Sequence, residues 1–273
     1  MKTSISKTTR LCMSLSARPG NFGTRFQNFL YDALGLDFVY KAFTTTDLTA
    51  AVGGIRALGI RGCAVSMPFK EACIPMLDGL HPSAGVLQSV NTIVNDDGVL
   101  TGHNTDYVAV RHLLDVHAVP RDLKVAVRGS GGMAKAVTCA LRDAGFRNGT
   151  VVARNATTGP ALAQTCGYAW QPDTAGLAAQ LLVNVTPIGM AGGAEASDLA
   201  FGLAHIEAAH TVFDVVAIPV ETPLVIAARA AGKPVISGGD VIVLQALEQF
   251  VLYTGVRPEP ALVERAAAFA RAG

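Results

Sequence analysis

The sequence predicts an α/β protein made of two units, and three observations point there. Strand-like and helix-like segments alternate along both halves of the 273 residues. A glycine-rich turn, Gly129-Ser130-Gly131-Gly132-Met133-Ala134, stands between a β-rich stretch and an amphipathic one. Three polar words interrupt a chain that is 50% hydrophobic and only 16% charged: Ser66-Met67-Pro68-Phe69-Lys70-Glu71, Ser89-Val90-Asn91-Thr92 and Gly102-His103-Asn104-Thr105-Asp106.

In the first half, the apolar stretch Phe26–Leu36 predicts a helix, and residues 38–43, rich in β-formers, predict a strand. Residues 47–58 have helical spacing and stop at Gly59. Gly62–Ser66 reads as a short strand, Lys70–Leu77 as a helix and Val90–Val94 as a hairpin arm, giving a small sheet with largely parallel pairing. Open α/β sheets bind ligands outside the carboxyl ends of their strands, so the polar words are expected along one edge. Asn104, Thr105 and Asp106 are good N-cap residues and open a helix with Val110, Leu113 and Leu114 as its apolar stripe. Taken alone, Asp106 reads as a helix cap favoured by the dipole. Pro120 ends this helix.

The second half begins with the strand Lys124–Arg128, turns through the glycine word into the helix Met133–Ala144 and stops at Gly145. Further strands are expected at Thr150–Arg154, Leu181–Val185, Val212–Val216 and Pro234–Ile236, with a helix over Thr222–Ala231 among those between them. Two helices, Val241–Tyr253 and Pro260–Ala272, finish the chain, the second with proline in its first turn. The expected division is residues 1–105 with 238–273 as one domain and 106–237 as the other, the C-terminal helices returning to the first.

Composition excludes several classes. The net charge of +1, with basic residues scattered, leaves no footprint for nucleic acid or an anionic membrane. The five cysteines (Cys12, Cys63, Cys73, Cys139 and Cys166) are odd in number and form no Cys-x-x-Cys pair, so each reads as a small buried residue in a reducing cytosol. No histidine spacing suggests a metal site; His112 and His117 read as surface or helix-end residues. The start of the chain, Met1–Arg10, is polar, Leu11–Ser16 is too short and hydroxylated for a signal segment, and the longest apolar runs fall short of a membrane span. The expectation is a cytoplasmic protein, monomer or homodimer, acting on a small molecule.

Gly129-x-Gly131-x-x-Ala134 follows a strand and opens a helix, the arrangement of a Rossmann-type dinucleotide site. Gly129 permits the tight turn, Gly131 a close approach to a pyrophosphate and Ala134 close helix–strand packing, while the helix start offers free N–H groups. At the end of the next strand stands Arg154, followed by no acid until Asp173, which favours NADP over NAD. A lysine beside a strand end and an aspartate from a neighbouring loop, here Lys70 and Asp106, form a workable proton-transfer pair for reducing a ketone, and Asn91 suits a vicinal diol. Without a partner, Lys70 would be an ordinary lysine at a helix start.

These words occur in the order found in shikimate dehydrogenases. Ser66–Glu71, Val90-Asn91-Thr92, Asn104-Thr105-Asp106, Gly129-Ser130-Gly131-Gly132, Asn184-Val185-Thr186-Pro187-Ile188-Gly189-Met190 and Gln245-Ala246 resemble the motifs of that family from Ser14 to Gly255. The resemblance implies reversible, NADP-linked interconversion of 3-dehydroshikimate and shikimate, in aromatic amino acid biosynthesis on the way to chorismate. It implies that Lys70 and Asp106 are catalytic. Ser14, Ser16, Ser66, Asn91 and Gln245 would contact substrate, and Thr186, Pro187 and Gly189 would lie in the loop under the cofactor.

The chain departs from the family pattern at several positions. Ala64 stands where an asparagine is usual, Ala217 where a tyrosine is usual, Gln27 in place of a histidine and Val241 in place of a methionine. An insert, Ala17–Arg25, follows the Ser-x-Ser segment, and Arg154-Asn155 replaces an Arg-Thr pair. The chain thus resembles the divergent shikimate 5-dehydrogenase-like subgroup, and slow shikimate turnover is expected. A dehydrogenase of quinate or another cyclic hydroxy acid, and a non-catalytic NADP-binding regulator, stay open as alternatives. Lys70, Asp106, Asn91 and Gln245 occurring together favour an enzyme, since a sensor has no need of an acid–base pair.

Overall fold

The computed structural model describes residues 5–272; the first four residues of the polar start and Gly273 lie outside them. Two compact units form, one running up to Thr105 and resuming at Val243, the other spanning Asp106–Ile242.

The first unit is a mixed sheet of strands β1 (Arg10–Leu15), β2 (Phe38–Phe43), β3 (Gly62–Val65), β4 (Gly79–Leu80), β5 (Thr92–Asp96) and β6 (Val99–His103), in the order β2-β1-β3-β5-β6-β4. Helices α1 (Phe22–Ala33), α2 (Leu48–Ala57), the short α3 (Phe69–Ala72) and α4 (Pro82–Gly85) connect them. Three results differ from expectation. β1 lies inside the sheet, paired with β2 and β3. Its Cys12, Met13 and Leu15 are all buried, so it lacks the alternation that marks a half-exposed strand. The sheet is less parallel than expected, because β5 runs antiparallel to both β3 and β6. Asp97 (φ 51°) and Gly98 (φ 93°) make the hairpin turn between β5 and β6, both in the left-handed region that two-residue hairpin loops require. The single helix expected over Lys70–Leu77 is broken: α3 ends at Ala72 and a 3-10 turn follows at Ile74–Met76. Pro75 in that turn has no N–H with which to continue an α-helix.

One face of this sheet packs on α1 and the two C-terminal helices, α10 (Gly238–Thr254) and α11 (Pro260–Arg271). Phe26, Leu30 and Tyr31 of α1 meet Phe250 and Tyr253 of α10, with the small Ala266, Ala267 and Ala270 of α11 allowing close approach. Each fully buried leucine or aromatic side chain contributes roughly 1.5–3 kcal/mol. The other face packs on α2 through Val52 and Ile55, against Met13, Leu15, Cys63 and Ile93.

The second unit opens with α5 (Thr105–Val116), which stops four residues short of Pro120; Ala118, at φ 46°, makes the turn. Its sheet holds β7 (Val125–Arg128), β8 (Gly149–Val152), β9 (Ala169–Gln171), β10 (Leu181–Asn184), β11 (Thr211–Asp214) and β12 (Val235–Ile236), all parallel, in the order β12-β11-β10-β7-β8-β9. Helices α6 (Gly132–Asp143), α7 (Thr158–Cys166), α8 (Leu203–Ala208) and α9 (Pro223–Ala230) serve as its crossovers. This is the expected doubly wound arrangement. The chain leaves β7 toward β8 and later returns to its other side at β10, so the topological switch point falls beside the glycine word. All five cysteines are buried thiols, Cys139 and Cys166 with sulfurs 3.4 Å apart. Among the described residues no helix is long and apolar enough to cross a membrane.

Candidate active site

Strand register gathers the polar words of the first unit at one edge. Ser14 pairs with Ala64, Ala64 with Thr92, and Thr92 with His103, so Ser16, Ser66, Asn91 and Asn104 all leave the sheet at the same end. Ser14 and Ser16 are half-buried, and Ser66 is exposed. The Ser16 hydroxyl accepts the Arg18 N–H at 3.1 Å.

Asn91 is the organising residue, and its side chain is almost fully buried. Its Oδ1 accepts the Thr105 backbone N–H at 2.8 Å and the Thr92 hydroxyl at 2.8 Å, while its Nδ2 donates to Thr105 Oγ1 at 3.0 Å. Because a backbone N–H can only donate, the orientation of the Asn91 amide is settled. The Val90 N–H donates to the Lys70 carbonyl at 2.8 Å. Two neighbouring residues therefore hold the backbone of Lys70 on one flank and Thr105 on the other, and the buried Asp106 follows directly in the first turn of α5.

Gln245 is half-buried on α10. One turn on, the buried Gln249 donates from Nε2 to Thr92 Oγ1 at 3.1 Å, locking the hydroxyl that serves Asn91. Sequence reasoning passed over Gln249; its only signal was a polar residue four places after Gln245 on an apolar helix. Gln27 is fully buried and donates from Nε2 to the Ala246 carbonyl at 2.8 Å, so it supports α10. Ala64 and Ala217 are half-buried and bring no polar side-chain atom. His103 stacks on His81 with ring centroids 4.7 Å apart. Burial first, then the neighbouring His81, pushes the His103 pKa down to about 4.

In the second unit the glycine word forms the turn expected of it. Gly129 has φ +124°, and a Cβ there would meet Val185 Cγ2 at 2.9 Å, so only glycine fits. A Cβ on Gly131 would meet nothing within 4 Å, leaving its outer face open to a ligand. Gly132 and Met133 start α6, whose first-turn N–H groups have no partners within the helix, and Ala134 is fully buried. The Ser130 hydroxyl meets that of Thr158 at 2.7 Å, tying the turn to the start of α7.

Opposite stands the loop Val185–Met190. Asn184 Oδ1 accepts both the backbone N–H and the hydroxyl of Thr186, at 3.1 and 2.6 Å, and its Nδ2 donates to Asp214 Oδ1 at 3.0 Å. Asp214 in turn accepts the Thr222 hydroxyl at 2.6 Å. Burial raises the Asp214 carboxyl above its usual pKa, partly offset by these bonds. Thr186 is thus half-buried and committed to the loop, Pro187 is exposed, and Gly189 turns with φ +87°.

Between turn and loop lies a cavity of about 290 Å³ whose lining includes Arg128, Ser130, Arg154, Asn155, Asp173 and Thr186. Arg154 reaches into solvent. Arg128 and Asp173 were not expected in it. The shape and donors fit a dinucleotide, with an open glycine face, a helix start and cationic side chains around a concave site. Among the described residues no cluster of His, Cys, Asp or Glu could hold a metal.

Comparison with known proteins agrees with this architecture. Residues 22–93 match the model of the shikimate dehydrogenase substrate binding domain. A shikimate dehydrogenase-like protein of Haemophilus influenzae is 58% identical over 98% of each chain. The shikimate dehydrogenase (NADP(+)) of Citrifermentans bemidjiense is 35% identical over 88% of each. Among solved structures, shikimate 5-dehydrogenase from Thermus thermophilus, in complex with NADP(H) and shikimate, superposes with a TM-score of 0.86 at 29% identity, covering 96% of this chain and 100% of its own. With the fold, the ordered motifs and relatives of this similarity, the chain belongs to the shikimate dehydrogenase family of oxidoreductases.

Proposed function

We propose that this protein is an NADP-dependent oxidoreductase that interconverts 3-dehydroshikimate and shikimate, and does so slowly. One observation carries the proposal: bonds from Val90 and Asn91 hold Lys70 and Thr105 on either side of a single asparagine, and Asp106 comes next in the chain. Ser14, Ser16, Ser66 and Gln245 would complete a substrate site in the unit formed by the N-terminal segment and the C-terminal helices. Gly129–Ala134, Arg154, Thr186, Pro187 and Gly189 would hold the dinucleotide in the other.

NADP, when bound, supplies or receives the hydride. The chain's own task is the proton. Lys70 Nζ gives a proton to the substrate oxygen as the carbonyl is reduced, offsets the negative charge that develops there, and takes the proton back in the reverse direction. Asp106 would serve as the acidic member of the pair, accepting a hydrogen bond from a substrate hydroxyl. Asn91 has one N–H not committed to Thr105 and offers it to a substrate oxygen. The alanines at 64 and 217 can offer nothing, and each lost hydrogen bond to a buried partner costs roughly 1–3 kcal/mol. Slow turnover follows from that loss.

The test is to mix the purified protein with shikimate and NADP and follow reduced nicotinamide. Turnover that disappears in Lys70→Ala, with NADP affinity retained, supports the assignment. An unchanged rate in Lys70→Ala removes Lys70 from the chemistry. Tight NADP binding without turnover of any cyclic hydroxy acid would make the protein a regulator.

A further inference from the structure

The cavity at the carboxyl ends of β7 and β8 carries charges of both signs. Arg128 lines it from the end of β7 and Arg154 from just beyond β8, and Asp173 lines it as well. Glu195 approaches Arg154 from beyond Gly189, its Oε1 3.7 Å from Arg154 Nη1. The Glu195 carbonyl accepts the Gly189 N–H at 2.9 Å and the Asp198 N–H at 3.2 Å, so this acid is anchored to the loop that faces the glycine turn. Arg128 donates from Nη1 to the Ala200 carbonyl. Burial and then the repulsion of Arg154 hold its pKa below the usual guanidinium value, with Glu195 acting in the opposite sense. These three side chains therefore share one field.

We infer that Glu195 sets the coenzyme selectivity of this cavity, weakening its hold on a 2′-phosphate and accepting a 2′-hydroxyl, so that the chain uses NADP with only a modest advantage over NAD. The inference rests on the proposed dinucleotide site. A phosphomonoester carries about −1.5 to −2 charges near neutral pH, so an ionised carboxylate beside its arginine repels it. The repulsion is within range, since charges are screened only beyond roughly 8–10 Å at physiological salt. Enzymes that select NAD place an acid at the end of the second strand. That strand end here reads Arg154-Asn155-Ala156, and Glu195 brings the acid from the opposite loop instead. Arg154 is 83% exposed, so its pairing with Glu195 is weak and easily exchanged for a phosphate. Both nucleotides can then be accommodated, and the balance between them is governed by the carboxylate.

The test is calorimetric titration of the full chain with 2′,5′-ADP and with 5′-AMP, for the wild type, Glu195→Gln and Glu195→Lys. Expected is a widening of the affinity ratio in favour of 2′,5′-ADP by about three- to fivefold in Glu195→Gln, the scale of one exposed charge pair. Glu195→Lys should widen it further, with 5′-AMP still bound as the sign of an intact site. A ratio that stays at the wild-type value in both variants overturns the role of Glu195 while leaving the dinucleotide site in place. If neither nucleotide binds the wild type, the dinucleotide reading falls and this inference with it.

Discussion

The backbone N–H of Thr105 donates to Oδ1 of Asn91 at 2.8 Å, and the Thr105 hydroxyl accepts from Nδ2 of the same amide at 3.0 Å. One side chain thereby holds Thr105, the last residue of the first unit before the chain leaves it, at the end of that unit's sheet, and both partners are buried. Groups so enclosed lose more when a partner is removed than the bond itself contributes.

Thr105→Val keeps the backbone bond and the shape while deleting the hydroxyl that meets Asn91 and Thr92. We expect a loss of roughly 1–3 kcal/mol in urea unfolding, because Nδ2 of a buried amide loses a partner. The efficiency of shikimate oxidation should fall in the same variant, while 5′-AMP binding should not change. Equal loss of both would show that the effect spreads beyond the substrate unit.

His103 predicts a pH dependence. Its pKa is lowered in the fold from 6.5 to about 4, first by burial and then by His81. Below pH 6.5 the unfolded chain takes up a proton that the folded one refuses, so stability is highest above that value and is lost as the pH falls toward about 4. His103→Gln cannot titrate. Its stability, followed by urea unfolding over this window, should decline less than that of the wild type; parallel curves would exclude a role for this imidazole.

Gly62 faces the ring of Tyr253. A Cβ at Gly62 would lie 2.2 Å from Cδ1 and Cε1 of that ring. The ring has no room to retreat, since it is itself fully buried, and Arg61 bonds the Tyr253 and Leu252 carbonyls at 2.9 and 3.1 Å. Gly62→Ala should therefore cost about 1–3 kcal/mol or more, as overpacking does. At roughly 2–4 °C per kcal/mol for a protein above 150 residues, the melting temperature should drop by several degrees. A wild-type melting curve would mean that the ring moves aside.

Much of the molecule was legible from local pattern. The strand, glycine turn and helix from Val125 through Asp143 follow from residues close in sequence, because a tight turn and a helix start are local physics. The order of the polar words carried the family, and the alternation of elements carried the α/β class. The break at Pro75 and the hairpin turn at Asp97-Gly98 are equally local, yet helical spacing alone ran one helix through Lys70–Leu77 and left the turn unmarked.

What the sequence could not show depends on groups distant along the chain. β1 is a strand because β2 and β3 enclose it on both edges, which its own six residues, without apolar and polar alternation, do not reveal. Gln249 reaches Thr92 across 157 positions, so its part in orienting Asn91 exists only after folding. The single arginine expected for the cofactor, Arg154, turned out to have Arg128 on the adjoining strand and Glu195 from a loop beyond β10 as electrical neighbours. Residue types and spacing determined which chemistry the chain carries, because turns, caps and periodicity act over a few residues. The tertiary structure decided which charges share a cavity and which amide is held, because Coulomb interactions and buried hydrogen bonds depend on distance in space, which the chain sets only by folding.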